Sequence, residues 1–218
     1  MKIVAVIPIK KKSVRVKNKN FRLIGKKPLY HYTLEKLKYC KFDEIYVDSD
    51  SHAVRSYCKT HKIKFIKRLP RLARNNANGN DLLVHHSNII KADIYFQIFV
   101  TSPLLKISTI NNCIKKLKNN LKTYDSILTI QKIYSWFWFN KKPVNYDPKV
   151  LPRSQDAKPI VLETTGLYGI TKKSLNKLKS RIGNKPFFYE VDENENVDLD
   201  NEKDFKYLEF ILKNKKLK

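Results

Sequence analysis

The first apolar run, Ile3 to Ile9, is continuous rather than alternating, the pattern of a strand buried on both faces. A basic loop follows, then Leu29, Thr33, Leu37 and Cys40 at helical spacing. Glu44 to Asp48 reads as a strand, Ser51 stands where an N-cap opens a helix carrying Ala53, Val54, Tyr57 and Cys58, and Lys64 to Ile66 reads as a short strand. The alternation continues with a helix bearing Leu82, Leu83, His86, Ile89 and Ile90, then the apolar strand Ile94 to Val100. Next come a helix capped by Ser108, with Ile110, Cys113, Ile114 and Leu117 inward, and a strand from Ser126 to Ile133. Apolar strands joined by amphipathic helices require helices over both faces of one sheet. The pattern predicts an α/β fold, doubly wound on a mostly parallel sheet.

The rhythm breaks over 134–159, where Trp136, Phe137, Trp138 and Phe139 crowd together with Pro143, Pro148, Pro152 and Pro159. Aromatics and prolines outside the alternation predict a protruding arm that packs on its own domain or on a second copy, giving a homodimer. Gly166 to Ile170 and Phe187 to Val191 then read as strands, and Phe205, Leu208 and Leu212 as the inner face of a last helix. With no repeat or low-complexity linker, residues 1–218 read as a single domain carrying the arm.

A formal charge of +25 raises nucleic acid or an anionic membrane as partners. The lysines, however, are scattered along the whole chain with many asparagines and only 5 glycines, where about 7% is usual. That bias needs no selection for a ligand, so no specific nucleic acid is expected, although such a surface still steers small anions. Cys40, Cys58 and Cys113 are odd in number and form no CxxC pair, which suggests a reducing, cytoplasmic setting. Met1 to Pro8 has too short an apolar run for a signal peptide, and no stretch approaches the length of a membrane span.

In an open α/β sheet, ligands bind outside the carboxyl ends of the strands, so the loop after the first strand is the first candidate site. From Ile9 to Asn20 it carries six cationic side chains, Ser13 and two amides, enough to wrap a triphosphate. It matches neither GxxxxGK[ST] nor GxGxxG. As a bare charge run it also reads as a solvated loop. Near the other end, Asp198 and Asp200 stand two apart, so on a strand end both carboxylates meet one hard cation. Taken alone, Asp200 reads rather as a helix cap and Asp198 as a solvated residue.

The wording of these segments adds to the chemistry. Ile7-Pro8-Ile9-Lys10, Ser13, Lys19-Asn20 and Lys27-Pro28-Leu29 resemble the signature loop of the acylneuraminate cytidylyltransferases. Val47 to Ser51, Arg68 with Leu72-Ala73, Asn78 to Leu83, Thr101 to Leu104, Arg153 to Asp156, Glu163 to Tyr168 and Val197 to Phe205 follow in that family's order. The resemblance implies a nucleotidyltransferase fold like that of the GT-A glycosyltransferases. It also implies attack by the anomeric hydroxyl of an acidic 2-keto sugar on the α-phosphate of CTP, releasing pyrophosphate. By that similarity Lys10, Lys19 and Asp200 are catalytic. Lys10, Ser13, Arg15, Lys19, Asn20, Arg68 and Asn80 bind nucleotide, Arg153, Gln155 and Tyr168 line the sugar-acid pocket, and Asp198 and Asp200 hold Mg²⁺. The arm at 134–159 then serves dimerisation or sugar binding.

Departures bear on this reading. Lys11 and Lys12 replace two glycines, Lys10 replaces an arginine and loses its planar fork, and Phe99 replaces a glutamine. His85 and His86 cannot share a helix face and lack further ligands at metal spacing, so they read as surface and packing residues. Kdo, pseudaminate or legionaminate are alternative acceptors. A basic nucleic-acid-binding protein and a catalytically silent assembly protein are alternatives of other classes.

Overall fold

The computed structural model describes residues 1–13 and 16–215, the side chain of Lys215 excepted; Val14 and Arg15 lie outside the described residues. The chain opens with β1 (Ile3–Ile9), the hairpin β2 (Leu23–Ile24) and β3 (Lys27–Pro28), and α1 (Leu29–Leu37). There follow β4 (Glu44–Ser49), α2 (His52–Thr60), β5 (Lys64–Lys67), α3 (Gly79–Ile89), β6 (Ile94–Ile98), α4 (Ile107–Asn119) and β7 (Ser126–Ile133). The hairpin β8 (Trp138–Phe139) and β9 (Lys142–Pro143) lies in the 134–159 segment. The chain then returns through β10 (Ile160–Thr171), α5 (Lys172–Leu178), β11 (Pro186–Glu190) and α6 (Glu202–Lys215).

Seven strands form one sheet in the order β11-β7-β10-β6-β1-β4-β5. Neighbours are parallel except at β10, which runs antiparallel to both β6 and β7. β1 is central, and all seven of its residues are buried. Its odd positions Ile3, Ala5, Ile7 and Ile9 pack on one face with residues of α1, α2 and α4. Val4 and Val6 pack on the other with Leu83 of α3 and Leu175 of α5. Double-sided burial is why the strand is apolar throughout; each fully buried Ile or Leu contributes about 1.5–3 kcal/mol. The chain builds outward from β1 to β5, then returns to β6 on the other side of β1, placing a switch point at the carboxyl ends of β1 and β6.

Two elements depart from the sequence expectation. Ser108 does not cap α4: Lys106 is the N-cap residue, and its amide donates to Glu195 Oε2 at 2.7 Å. Glu195 is buried and also accepts from Thr109 Oγ1 at 3.0 Å, so a carboxylate distant in sequence starts this helix. β10 is longer than the apolar run from Gly166, and its register with β7 breaks between Glu163 and Tyr168. Inside that break Thr165 has φ +54°, a rare backbone state for a β-branched residue that costs on the order of 1–3 kcal/mol.

Candidate active site

A cleft of about 400 Å³ opens where the switch point predicts, beyond the carboxyl ends of the central strands. Pro8 and Lys10 come from the end of β1, Arg68 from just after β5, and Phe99, Val100 and Thr101 from just after β6. Lys12, Ser13, Lys19 and Asn20 enter from the long loop, while Arg74, Asn75, Asn78 and Gly79 lead into α3. Among the described residues, the lining contains five cations, Lys10, Lys12, Lys19, Arg68 and Arg74, and no carboxylate.

The loop is anchored from both sides. Val16 is buried with Ile24, Leu29, Leu199, Phe205 and Leu208, which ties it to α1 and α6. Asn20 is buried and donates through Nδ2 to the Lys10 carbonyl at 2.9 Å, closing the loop on itself. The Lys11 amide donates to Asp50 Oδ1 at 2.7 Å. Lys11 and Lys12 both keep negative φ, so the loop needs neither of the glycines they replace. Lys10 Nζ donates to Asn75 Oδ1 at 2.8 Å, and Lys19 Nζ pairs with Asp200 Oδ1 at 2.9 Å. Arg15 lies outside the described residues.

Behind the cleft, Arg68 is held by charges that sequence reasoning missed. Asp48, fully buried on β4, takes Arg68 Nε on Oδ1, and its carbonyl accepts from Arg68 Nη2 at 3.2 Å. On its other side His86 Nε2 donates to Asp48 Oδ2 at 2.7 Å, both groups being fully buried, so His86 is more than a packing residue. Burial pushes the Asp48 carboxyl up, but the His86 hydrogen bond and the Arg68 charge outweigh it and leave it below its ordinary value. The apolar positions around His86 concealed this role, and only the fold brings strand and helix together.

Asp198 and Asp200 flank Leu199, whose amide donates to the Thr101 carbonyl at 3.0 Å on the cleft wall. The segment forms no strand, yet Val197 and Leu199 are buried while Asp198 and Asp200 are partly exposed, so the alternation survives. Asp200 does not cap α6: Asn201 Oδ1 accepts from the amides of Lys203 and Asp204, and Asp204 Oδ2 accepts from the Asn201 amide, a reciprocal capping box. Asp198 Oδ2 accepts from Thr165 Oγ1 at 2.7 Å, and its Oδ1 is buried with no hydrogen-bond partner. Among the described residues no three His, Cys, Asp or Glu side chains gather at metal spacing.

Six expected site residues do not line this cleft: Asp198 and Asp200, which sit beside it, and Asn80, Tyr168, Arg153 and Gln155. Asn80 turns away, its Oδ1 accepting the Arg181 amide at 2.9 Å, and its neighbours Asn78 and Gly79 line the wall instead. Tyr168 is buried and its hydroxyl donates to Glu163 Oε2 at 2.8 Å; burial pushes the phenol up. Arg181, unforeseen in the sequence, lays its guanidinium 3.6 Å from the Tyr168 ring centre and 5.6 Å from that of Phe99. Arg153, its side chain 75% exposed, pairs on the arm with Asp156 at 2.6 Å, and Gln155 is exposed beside it. Sequence order placed these two in the pocket, whereas the fold carries them out on the arm.

Comparisons with known proteins agree with this layout. The profile of the family described as Cytidylyltransferase matches residues 4–216. The N-acylneuraminate cytidylyltransferase of Streptococcus agalactiae serotype III is 22% identical over 216 residues, 94% of this chain and 52% of that protein. That of Escherichia coli O18:K1:H7 is 27% identical over 133 residues, 60% of this chain and 32% of that protein. The chain thus spans about half, or less, of the length of the curated relatives it matches. In fold it is similar to a CMP:2-keto-3-deoxy-manno-octonic acid synthetase solved with CTP, with TM-score 0.72 and 16% identity, covering 99% of this chain and 100% of that one. The 4-diphosphocytidyl-2C-methyl-D-erythritol synthase of Anaerococcus prevotii follows at TM-score 0.68 and 11% identity, covering 97% and 98%. With the nucleotidyltransferase fold in place and a family profile spanning nearly its whole length, the chain belongs to the cytidylyltransferase family.

Proposed function

We propose that the chain transfers CMP from CTP to the anomeric hydroxyl of an acidic 2-keto sugar, a sialic acid or related nonulosonate, and releases pyrophosphate. The observation that carries this is the cleft lined by five cations and no carboxylate among the described residues, at the switch point of a nucleotidyltransferase fold. Its volume of about 400 Å³ falls in the range of about 300–1,000 Å³ usual for small-molecule sites. Displacement at phosphorus demands positioning and charge neutralisation more than covalent help. Lys10, Lys12 and Lys19 are placed to neutralise triphosphate oxygens, with Ser13 donating a hydrogen bond. Arg68, held from behind by Asp48, and Asn20 shape the nucleoside end. Of the residues first expected there, Asn80 turns away from the cleft to accept the Arg181 amide.

Magnesium fits the carboxylate pair. Asp198 keeps a buried oxygen without a partner, and few carboxylates combined with substrate phosphates and water is the donor set this cation prefers. Asp198 and Asp200 would hold it, and when bound it would supply positive charge at the triphosphate.

The arm supports a homodimer. Trp138 and Phe139 are 58% and 69% exposed at the tip of the 134–159 segment, where a second copy would bury them. In that dimer Arg153 and Gln155 reach the acceptor pocket of the neighbouring copy, which accounts for their distance from the cleft of their own chain. Arg153 is suited to grip the acceptor carboxylate bidentately.

Product analysis tests the reaction. Mass spectrometry of the protein incubated with CTP, Mg²⁺ and N-acetylneuraminate or a related 2-keto sugar acid should find a CMP-linked sugar together with pyrophosphate. Formation of CDP or CMP without a sugar conjugate would contradict the proposal.

A further inference from the structure

We propose that Thr165 is a positioning residue for Asp198, kept in a strained backbone state because its hydroxyl orients that carboxylate toward a divalent cation. The inference rests on the reading of Asp198 as a cation ligand and adds the residue that aims it. Thr165 has φ +54°, where a β-branched side chain is an outlier, and such strain persists only where the surroundings over-determine it. Here they do. Thr164 Oγ1 donates to the Thr129 carbonyl at 3.1 Å and lies 2.7 Å from Thr129 Oγ1, both within the core. On the other side the Gly166 carbonyl accepts the Phe99 amide at 3.1 Å, next to the cleft.

Regular strand geometry is interrupted at this point, since the β10–β7 register breaks between Glu163 and Tyr168. The break frees Thr165 from strand pairing, and its Oγ1 donates to Asp198 Oδ2 at 2.7 Å. A carboxylate with one oxygen fixed by a donor presents the other in a set direction, and Asp198 Oδ1 is buried without a hydrogen-bond partner. Ser102 Oγ, on the loop whose Thr101 carbonyl takes the Leu199 amide, is also buried and unpartnered. An outer hydrogen bond of this kind accounts for both the strain and the missing partner.

The test is Mn²⁺ uptake, followed by electron paramagnetic resonance with and without CTP, together with thermal unfolding. Thr165→Val keeps the side-chain shape and removes the donor; it should weaken Mn²⁺ binding by about 10–100-fold, the usual cost of losing an outer-sphere partner. Thr165→Ser, which restores the hydroxyl, should recover most of that loss. Thr165→Gly removes strain and donor together, so it should fold and bind Mn²⁺ as weakly as the valine variant. A structural role alone would shift melting temperatures and leave Mn²⁺ affinity untouched below them. Wild-type affinity in the valine or glycine variant, or a serine variant as weak as valine, overturns the proposal. Wild-type protein that takes up no Mn²⁺ overturns the carboxylate-pair reading and this inference with it.

Discussion

Asp48 lies fully buried between Arg68 and His86, and removing its charge leaves a cation without its counterion in the interior. Asp48→Asn should therefore cost about 3–5 kcal/mol in urea unfolding, the usual penalty for breaking a buried pair from one side. Because its value is depressed, the stability Asp48 supplies is complete above its ordinary 3.8 and lost as pH falls through the lower folded value. Wild-type stability should thus fall off below about pH 4, and that acid limb should be shallower in the Asn variant. In the loop, Lys19 is paired with Asp200 at the cleft whereas Lys17 is exposed. Lys19→Ala should lower kcat by about 10²–10³-fold, as loss of one preorganised charge-stabilising contact does, and Lys17→Ala should leave steady-state kinetics nearly unchanged. Lys10, Ser13, Lys19 and Asn20 were legible because they share one loop with its own wording. The Asp48–His86 pair was not, because its members are 38 residues apart and only the β4–α3 packing joins them.

At the scale of elements, apolar runs located β1 and β6 because both faces of the sheet are covered there, so no alternation masks them. The start of α4 was misread because Glu195, contributed by tertiary structure, does the capping that sequence assigned to Ser108. The register break in β10 left no periodic signal, and the short hairpin of β2 and β3 is too brief to show one. The loop after β1 carries a prediction at this scale. Its lysines at 11 and 12 hold ordinary negative φ, so restoring glycine relieves nothing. Lys11→Gly should destabilise the protein by about 0.4–1 kcal/mol through the freedom it gives the unfolded chain. Thermal unfolding checks the loss, and a gain in stability would mean that the loop is strained after all.

For the molecule as a whole, a formal charge of +25 favours anions of every kind, so charge alone does not choose the ligand. On the proposed reading, the choice is made by the cleft and by the arm. Arm residues Trp138 and Phe139 are exposed apolar surface at the tip of an excursion, and Trp138→Glu should convert a dimer to a monomer in sedimentation at micromolar concentration. A wild-type protein that sediments as a monomer would contradict the assembly and strand Arg153 outside any acceptor pocket. The central claim, CMP transfer from CTP to an acidic sugar, is tested most directly by continuous measurement of pyrophosphate release. Each of CTP, ATP, GTP and UTP would be combined with a panel of 2-keto sugar acids and neutral hexoses. The account predicts release that requires CTP and a sugar acid together. Equal release with another nucleotide, preference for a neutral hexose, or no release with any sugar acid would contradict it.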